Sequence, residues 1–267
     1  MTKANNTKVP YKHYPAEIVN ILFKKRKVYD ETVQIEKKDT LMIAHRGLSK
    51  IEKENTIPAF RLAGEHSYYG IECDVHRSKD GRYFIIHDEN TKRVSGEDSI
   101  IEESTAERIR NIYLRDIFGN TSEQYIIPTL IEYVMICQKF KKVAVVEFKN
   151  HFEEQYILEM CEIIDREDCL CSTVFISFDL ENLQAVRKKY PDQPVQYLSS
   201  SYHEGILELL KENKMDLDIY HRELTKERLD ILHENGIKVN VWTVDDKKTA
   251  EKYAAWGVDY ITTNILE

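Results

Sequence analysis

The 267-residue sequence has no apolar run approaching the ~18 residues needed to span a bilayer, so a membrane-spanning helix is not expected. Its opening stretch, MTKANNTKVPYKHY, lacks the apolar core of a signal peptide, and the expected compartment is the cytoplasm. Cysteine is sparse and odd in number: Cys73, Cys137, Cys161, Cys169 and Cys171 are scattered, which argues against a disulfide framework and for reduced thiols. Cys169-x-Cys171 has no second half with which to hold zinc. Positive charge is also short: 38 basic against 46 acidic residues gives −8 and a pI near 5.7. Such a surface repels polyanions, which excludes nucleic acid and anionic membrane as first readings but leaves room for a small anion in a locally positive pocket. No low-complexity segment or internal repeat is evident.

Against these absences stand 42% hydrophobic and 31% charged residues, an ordinary globular mixture. The length suits the ~250 residues of a (β/α)8 barrel. Eight β-type runs recur: 41–46, 70–76, 143–149, 173–177, 194–198, 215–220, 237–243 and 258–263. Helix-like segments lie between most of them, at 56–67, 129–140, 152–165, 180–189, 204–213, 225–234 and 246–256. Repeated strand–helix units imply parallel strands with right-handed crossovers, and eight can close a TIM barrel. A doubly wound open sheet is the alternative, but nothing like GxGxxG follows the first run. The expected organisation is an N-terminal helical extension over 1–40 and a barrel over 41–267. A small insertion over about 77–128, after strand two, is expected to fold over the barrel mouth. An apolar stripe in 15–26 predicts a helix packed near the gap left by the missing eighth outer helix. The adjoining basic run at 24–27 reads as the solvated end of a helix or, less often, a membrane or partner site.

The chemistry concentrates at strand ends. His45-Arg46-Gly47 closes the first run, with His45 on the row Leu41, Ile43, His45; alone this reads equally as a structural histidine. In Gly70-Ile71-Glu72-Cys73-Asp74-Val75, alternation puts Glu72 and Asp74 on one face, about 7 Å apart, where burial makes them repel. A bound cation removes that cost; an exposed edge strand would also, but its apolar flanks argue for burial. Glu147 ends a third run, with Lys149 on the same face. Three inward carboxylates form an all-oxygen set suited to Mg2+ or Ca2+. His87, on the row Tyr83, Ile85, His87, supplies a second imidazole, so that one ring can take a proton while the other gives one. Arg46 and Lys149 suit a phosphate.

In this order, His45-Arg46-Gly47, Glu54-Asn55-Thr56 with Phe60, the Glu72/Asp74 strand and His87-Asp88 resemble the glycerophosphodiester phosphodiesterase family. The resemblance continues through Ile127-Pro128-Thr129-Leu130-Ile131-Glu132, Glu147-Phe148-Lys149, Val241-Trp242-Thr243-Val244 and Asp259-Tyr260-Ile261-Thr262-Thr263-Asn264. It implies a barrel with an insertion after strand two, a divalent ion held by Glu72, Asp74 and Glu147, and an acid–base pair at His45 and His87. The implied substrates are glycerophosphodiesters such as glycerophosphocholine and glycerophosphoethanolamine, cleaved to glycerol 3-phosphate and an alcohol. The chain departs from the family pattern at Lys53, over 90–96, at Asn264 and at Leu266, none of them a presumed ligand or acid–base group.

Asn55 reads either as the cap of the following helix or, with Glu54, as a support for the metal carboxylates. Trp242, on the same face as Asn240, reads as core or as a wall for the glycerol or alcohol group, and Phe178 is a weaker candidate of that kind. The remaining histidines, at 66, 76, 151, 203, 221 and 233, read as surface or core. Two enzyme alternatives are a phosphatidylinositol-type phospholipase C, which usually lacks such a carboxylate cluster, and a lysophospholipase D, disfavoured by the polar 90–128 stretch. A catalytically silent phosphate-binding barrel is the non-enzyme alternative, and no expected group is missing to support it.

Overall fold

The computed structural model describes residues 29–267. Eight parallel strands close a ring: β1 (Leu41–Ala44), β2 (Gly70–Arg77), β6 (Val143–Phe148), β7 (Thr173–Ser177), β8 (Val195–Ser199), β9 (Asp216–Tyr220), β10 (Val239–Trp242) and β11 (Tyr260–Thr263). Closure is carried by β1, which pairs with both β11 and β2. All eight expected runs form barrel strands.

Alternation sorts their side chains. Ile43, Val145, Ile176 and Leu198 pack inside the ring. Met42, Ala44, Ile71, Cys73, Val146 and Phe175 face outward into the layer beneath the helices. Those helices are α1 (Ile57–Glu65), α4 (Leu130–Phe140), α5 (Glu154–Arg166), α6 (Leu180–Lys189), α7 (Ile206–Asn213), α8 (Lys226–Glu234) and α9 (Lys247–Trp256). The start of α4 shows why its sequence folds that way. Thr129 accepts from Glu132 N, and the Glu132 carboxylate accepts from Thr129 N at 2.7 Å, a reciprocal cap worth about 1 kcal/mol.

Between β2 and α4 the chain adds β3 (Tyr83–Ile85), antiparallel to β2, then two short helices, α2 (Lys92–Ser95) and α3 (Ala106–Arg110). A hairpin of β4 (Tyr113–Arg115) and β5 (Thr121–Ile126) follows, which the sequence reading did not foresee. This connection has its own small core of Phe84, Ile86, Val94, Ile101, Ile109, Leu114 and Ile127. Its polar exterior reaches the loop after β1: Tyr125 Oη donates to Glu52 at 2.8 Å, and Arg93 bonds Glu54. Arg110 binds Glu132 at 2.7 Å and ties the connection to α4.

No helix follows β11. Instead, an extended segment runs beside the last residues, with Val33 bridged to Leu266 and Val33 N donating to Ile265 O at 3.0 Å. The expected helix over 15–26 and the basic run lie outside the described residues. Among the described residues no helix is long and apolar enough to cross a membrane.

Candidate active site

The loop after β1 is built around two left-handed residues. Arg46 has φ 56° and Gly47 φ 75°; a Cβ on Gly47 would meet the Ala59 backbone at 2.7 Å, so glycine alone fits. This turn aims the Arg46 amide into the barrel, where it donates to Glu72 Oε2 at 2.7 Å. The Arg46 guanidinium reaches Glu54 at 2.9 Å and stands 3.2 Å from Asp74 Oδ2.

Period-two geometry on β2 and its register with β6 bring Glu72, Asp74 and Glu147 together: one oxygen from each lies within 4.8 Å of the other two. Lys149 Nζ donates to Glu147 Oε1 at 2.7 Å and stands 3.4 Å from Asp74 Oδ1. Even so, Glu72 Oε1 and Asp74 Oδ1 are buried without a hydrogen bond. Burial first, then the Asp74 and Glu147 charges, pushes Glu72 well above the carboxylate range. Burial and Asp74 push Glu147 up to about 7. Burial alone would raise Asp74 too, but Arg46, Lys149 and His87, with a hydrogen bond from Asn55, hold it below its usual range. Two carboxyls raised by burial and neighbouring charge, two buried oxygens without a hydrogen bond and an all-oxygen donor set fit a hard divalent cation.

Asn55, at φ 54°, donates from Nδ2 to Asp74 Oδ2 at 2.7 Å, while the cap of α1 is Thr56, whose side chain accepts from Ala59 N. The capping alternative for Asn55 is therefore replaced by support of Asp74. Glu54 bonds both Arg46 and Arg93, and these cations hold it down to about 2 against the effect of burial.

His45 and His87 line one cavity of about 270 Å3 together with Arg46, Glu72, Glu147, Lys149, Phe178 and Trp242. Their supports differ. His45 Nδ1 lies 2.8 Å from Asn264 Oδ1. The other end of that amide faces Asp245, with Asn264 Nδ2 donating to Oδ2 at 2.8 Å. A carboxylate only accepts, so the amide oxygen faces the ring. His45 must donate from Nδ1, which leaves its Nε2 lone pair free. Burial, then the Arg46 charge, lowers His45 to about 4. His87 Nδ1 donates instead to a carboxylate, Asp88 Oδ1, at 2.7 Å. Burial lowers His87 as well, while Asp74 and Asp88 oppose the fall. The His87 carbonyl accepts from His76 Nε2 at 3.2 Å, so buried His76, read from sequence as surface or core, holds the backbone of the second ring.

Trp242 packs on Phe178 and Tyr220 with ring centroids 5.7 and 5.6 Å apart, a wall rather than sealed core. The other histidines pair away from this cavity, as His66 with Glu267, His151 with Asp179 and His233 with Asp259.

Sequence reasoning found the carboxylates, both imidazoles and both cations. It missed Asn264 and Asp245, of which the first showed only as a departure at a strand end. It also missed Arg93 and Asp218, since neither stands in a motif.

Comparison with known proteins matches residues 45–267 to the glycerophosphoryl diester phosphodiesterase family. A glycerophosphodiester phosphodiesterase of Caldanaerobacter subterraneus is 32% identical over 84% of this chain and 94% of its own. A solved glycerophosphodiester phosphodiesterase from Parabacteroides distasonis is 27% identical, covers 85% of this chain and 93% of its own, and superposes with a TM-score of 0.71. A phosphodiesterase from Oleispira antarctica, solved in complex with the product sn-glycerol-3-phosphate, shares the fold at TM-score 0.77 and 24% identity over 84% of this chain and 92% of its own. With a family match over most of its length and a closed barrel carrying these groups at one end, the chain belongs to the glycerophosphoryl diester phosphodiesterase family and is a phosphoric diester hydrolase.

Proposed function

We propose that the protein hydrolyses glycerophosphodiesters to glycerol 3-phosphate and an alcohol, with Glu72, Asp74 and Glu147 holding one Mg2+ or Ca2+. The observation that carries this reading is the convergence of three carboxylates within 4.8 Å, two of them with bare buried oxygens, in a cavity shared by two imidazoles. When bound, the ion supplies Lewis-acid polarisation of the phosphoryl group.

Arg46 and Lys149 draw the phosphate into the cavity and neutralise its charge, Arg46 with a planar guanidinium and Lys149 as a point charge. His45 is the base. Its Nδ1 proton is committed to Asn264, so Nε2 takes the proton of the attacking hydroxyl, either the glycerol 2-hydroxyl or water. As the new O–P bond forms, the bond to the alcohol oxygen breaks and that oxygen leaves with the electron pair. His87 is the acid: Asp88 stabilises its imidazolium, and Nε2 gives the leaving oxygen its proton. When the 2-hydroxyl is the nucleophile this step leaves a cyclic phosphate, which water opens to glycerol 3-phosphate: His87, now neutral, takes the water proton as the new O–P bond forms, and His45 returns its proton to the 2-oxygen as that P–O bond breaks. Different partners for two similar rings separate their roles. Trp242 and Phe178 flank the substrate arm, and Glu54 and Asn55 hold Arg46 and Asp74 in place.

The relative solved with sn-glycerol-3-phosphate supports a small-molecule substrate. A cavity of about 270 Å3 has room for a phosphate and a three-carbon polyol. Five free cysteines suit a reducing compartment, and we place the protein in the cytoplasm. The test is turnover of glycerophosphocholine, glycerophosphoethanolamine and lysophosphatidylcholine, with and without added Mg2+ or Ca2+. Metal-dependent release of glycerol 3-phosphate from the first two is expected. Turnover of the lysophospholipid alone would overturn the reading.

A further inference from the structure

Asp218 sits midway along β9, in register with Leu198 on one side and Asn240 on the other, and is 2% exposed. It faces the barrel interior and lines the catalytic cavity beside Trp242 and Phe178. Its neighbours in that layer satisfy one another. Asn240 Nδ2 donates to Thr262 Oγ1 at 3.0 Å, and Thr262 Oγ1 donates back to Asn240 Oδ1 at 3.1 Å. Asp218 Oδ1, in contrast, is buried without a hydrogen-bond partner among the described residues. Such an atom weakens the fold, and a residue serving only the core would be apolar or paired. The backbone carbonyl of Asp218 has a separate task, accepting from Trp242 Nε1 at 3.3 Å and so fixing the indole at the cavity wall.

The chemistry around the carboxyl selects its partner. Burial, with the Glu147 charge behind it, pushes Asp218 above the carboxylate range against a hydrogen bond from Asn240, and its unpartnered oxygen can accept a hydrogen bond in either protonation state. The phosphate belongs with Arg46 and Lys149. A trimethylammonium group can neither donate nor accept a hydrogen bond. A primary ammonium would be buried in a cavity already lined by two cations, Arg46 and Lys149. A hydroxyl on a short carbon arm both donates and accepts, and its CH groups can lie against the Phe178–Trp242 wall.

We propose that Asp218 is a substrate-binding residue that accepts a hydrogen bond from the terminal hydroxyl of the glycerol arm, so that the enzyme selects a glycerol phosphate over its terminal deoxy analogue. The inference rests on the pocket being a glycerophosphodiester site and adds the residue that reads the polyol.

The test is calorimetric binding to the full-length protein, with Mg2+ present, of sn-glycerol 3-phosphate and of propane-1,2-diol 1-phosphate, which lacks only that hydroxyl. A polar site left unpaired by a ligand rejects it strongly, so wild type is expected to prefer glycerol 3-phosphate by about tenfold or more. Asp218→Asn keeps an acceptor and retains most of the preference. Asp218→Val brings it to within about twofold, with a thermal midpoint no lower than wild type because a lone buried polar atom is gone. Asp218→Ala gives the same readout should valine not be tolerated. Equal binding of the two ligands by wild type, or a full preference in the apolar variants, overturns the role of Asp218 while leaving glycerophosphodiester turnover intact. Failure of wild type both to bind glycerol 3-phosphate and to turn over any glycerophosphodiester overturns the site reading, and this inference falls with it.

Discussion

His45 Nδ1 stands 2.8 Å from Asn264 Oδ1, and that amide is oriented from behind by the Asp245 carboxylate. The pair fixes which nitrogen of the buried ring carries hydrogen, and an amide oxygen stabilises an imidazolium less than a carboxylate does. Asn264→Ala is expected to lower kcat by about 10- to 100-fold with KM little changed, since the ring loses its orientation but the phosphate contacts remain. A matching rise in KM in steady-state kinetics would count against this role.

In the proposed mechanism, alanine at His45 or His87 removes the proton acceptor or the proton donor. Each is expected to cost about 100-fold or more in kcat while Mg2+ affinity changes little, because neither ring is among the three clustered carboxylates. Near-wild-type turnover in either variant contradicts the assignment.

Burial and the Asp74 charge push Glu147 up to about 7, so in the cation-free protein this group is partly protonated near neutrality, and Glu72 beside it is raised too. A cation must displace those protons. Mg2+ affinity is expected to fall as pH drops below about 7, with proton release on binding. Calorimetry at one pH in buffers of different ionisation enthalpy measures that release; identical apparent enthalpies would show that none occurs.

Glu54 is depressed from 4.5 to about 2 by Arg93 and Arg46. A depressed carboxylate stabilises the fold above its unfolded value, and that contribution is lost as pH falls from about 4.5 towards 2. Arg93 is nearly half exposed, so Arg93→Ala is expected to cost no more than about 1 kcal/mol at pH 7. The difference from wild type should shrink to nothing near pH 2. Denaturant melts at the two pH values test it, and a gap that stays constant would contradict it.

How much of this could be read from the sequence follows from how local each signal is. The barrel was legible because eight β-type runs alternate with seven helical segments, and the carboxylate cluster because Glu72 and Asp74 are two residues apart on a strand with apolar flanks. Asn55 was ambiguous because its left-handed φ, which frees the side chain to reach Asp74 and passes the cap to Thr56, leaves no mark in composition. The β4–β5 hairpin was hidden because its strands are mostly exposed and polar and so carry no apolar alternation. Asn264 meets His45 across 219 residues of chain, a contact that only closure of the ring between β1 and β11 creates.

The most direct test is turnover of glycerophosphocholine by wild type and by Glu72→Gln, Asp74→Asn and Glu147→Gln, each in excess chelator and after Mg2+ or Ca2+ is restored. Wild type should be inactive in chelator and recover with the cation, while each variant loses both metal affinity and most of its rate. Full wild-type activity in excess chelator would contradict the claim that these three acids hold the ion on which cleavage depends.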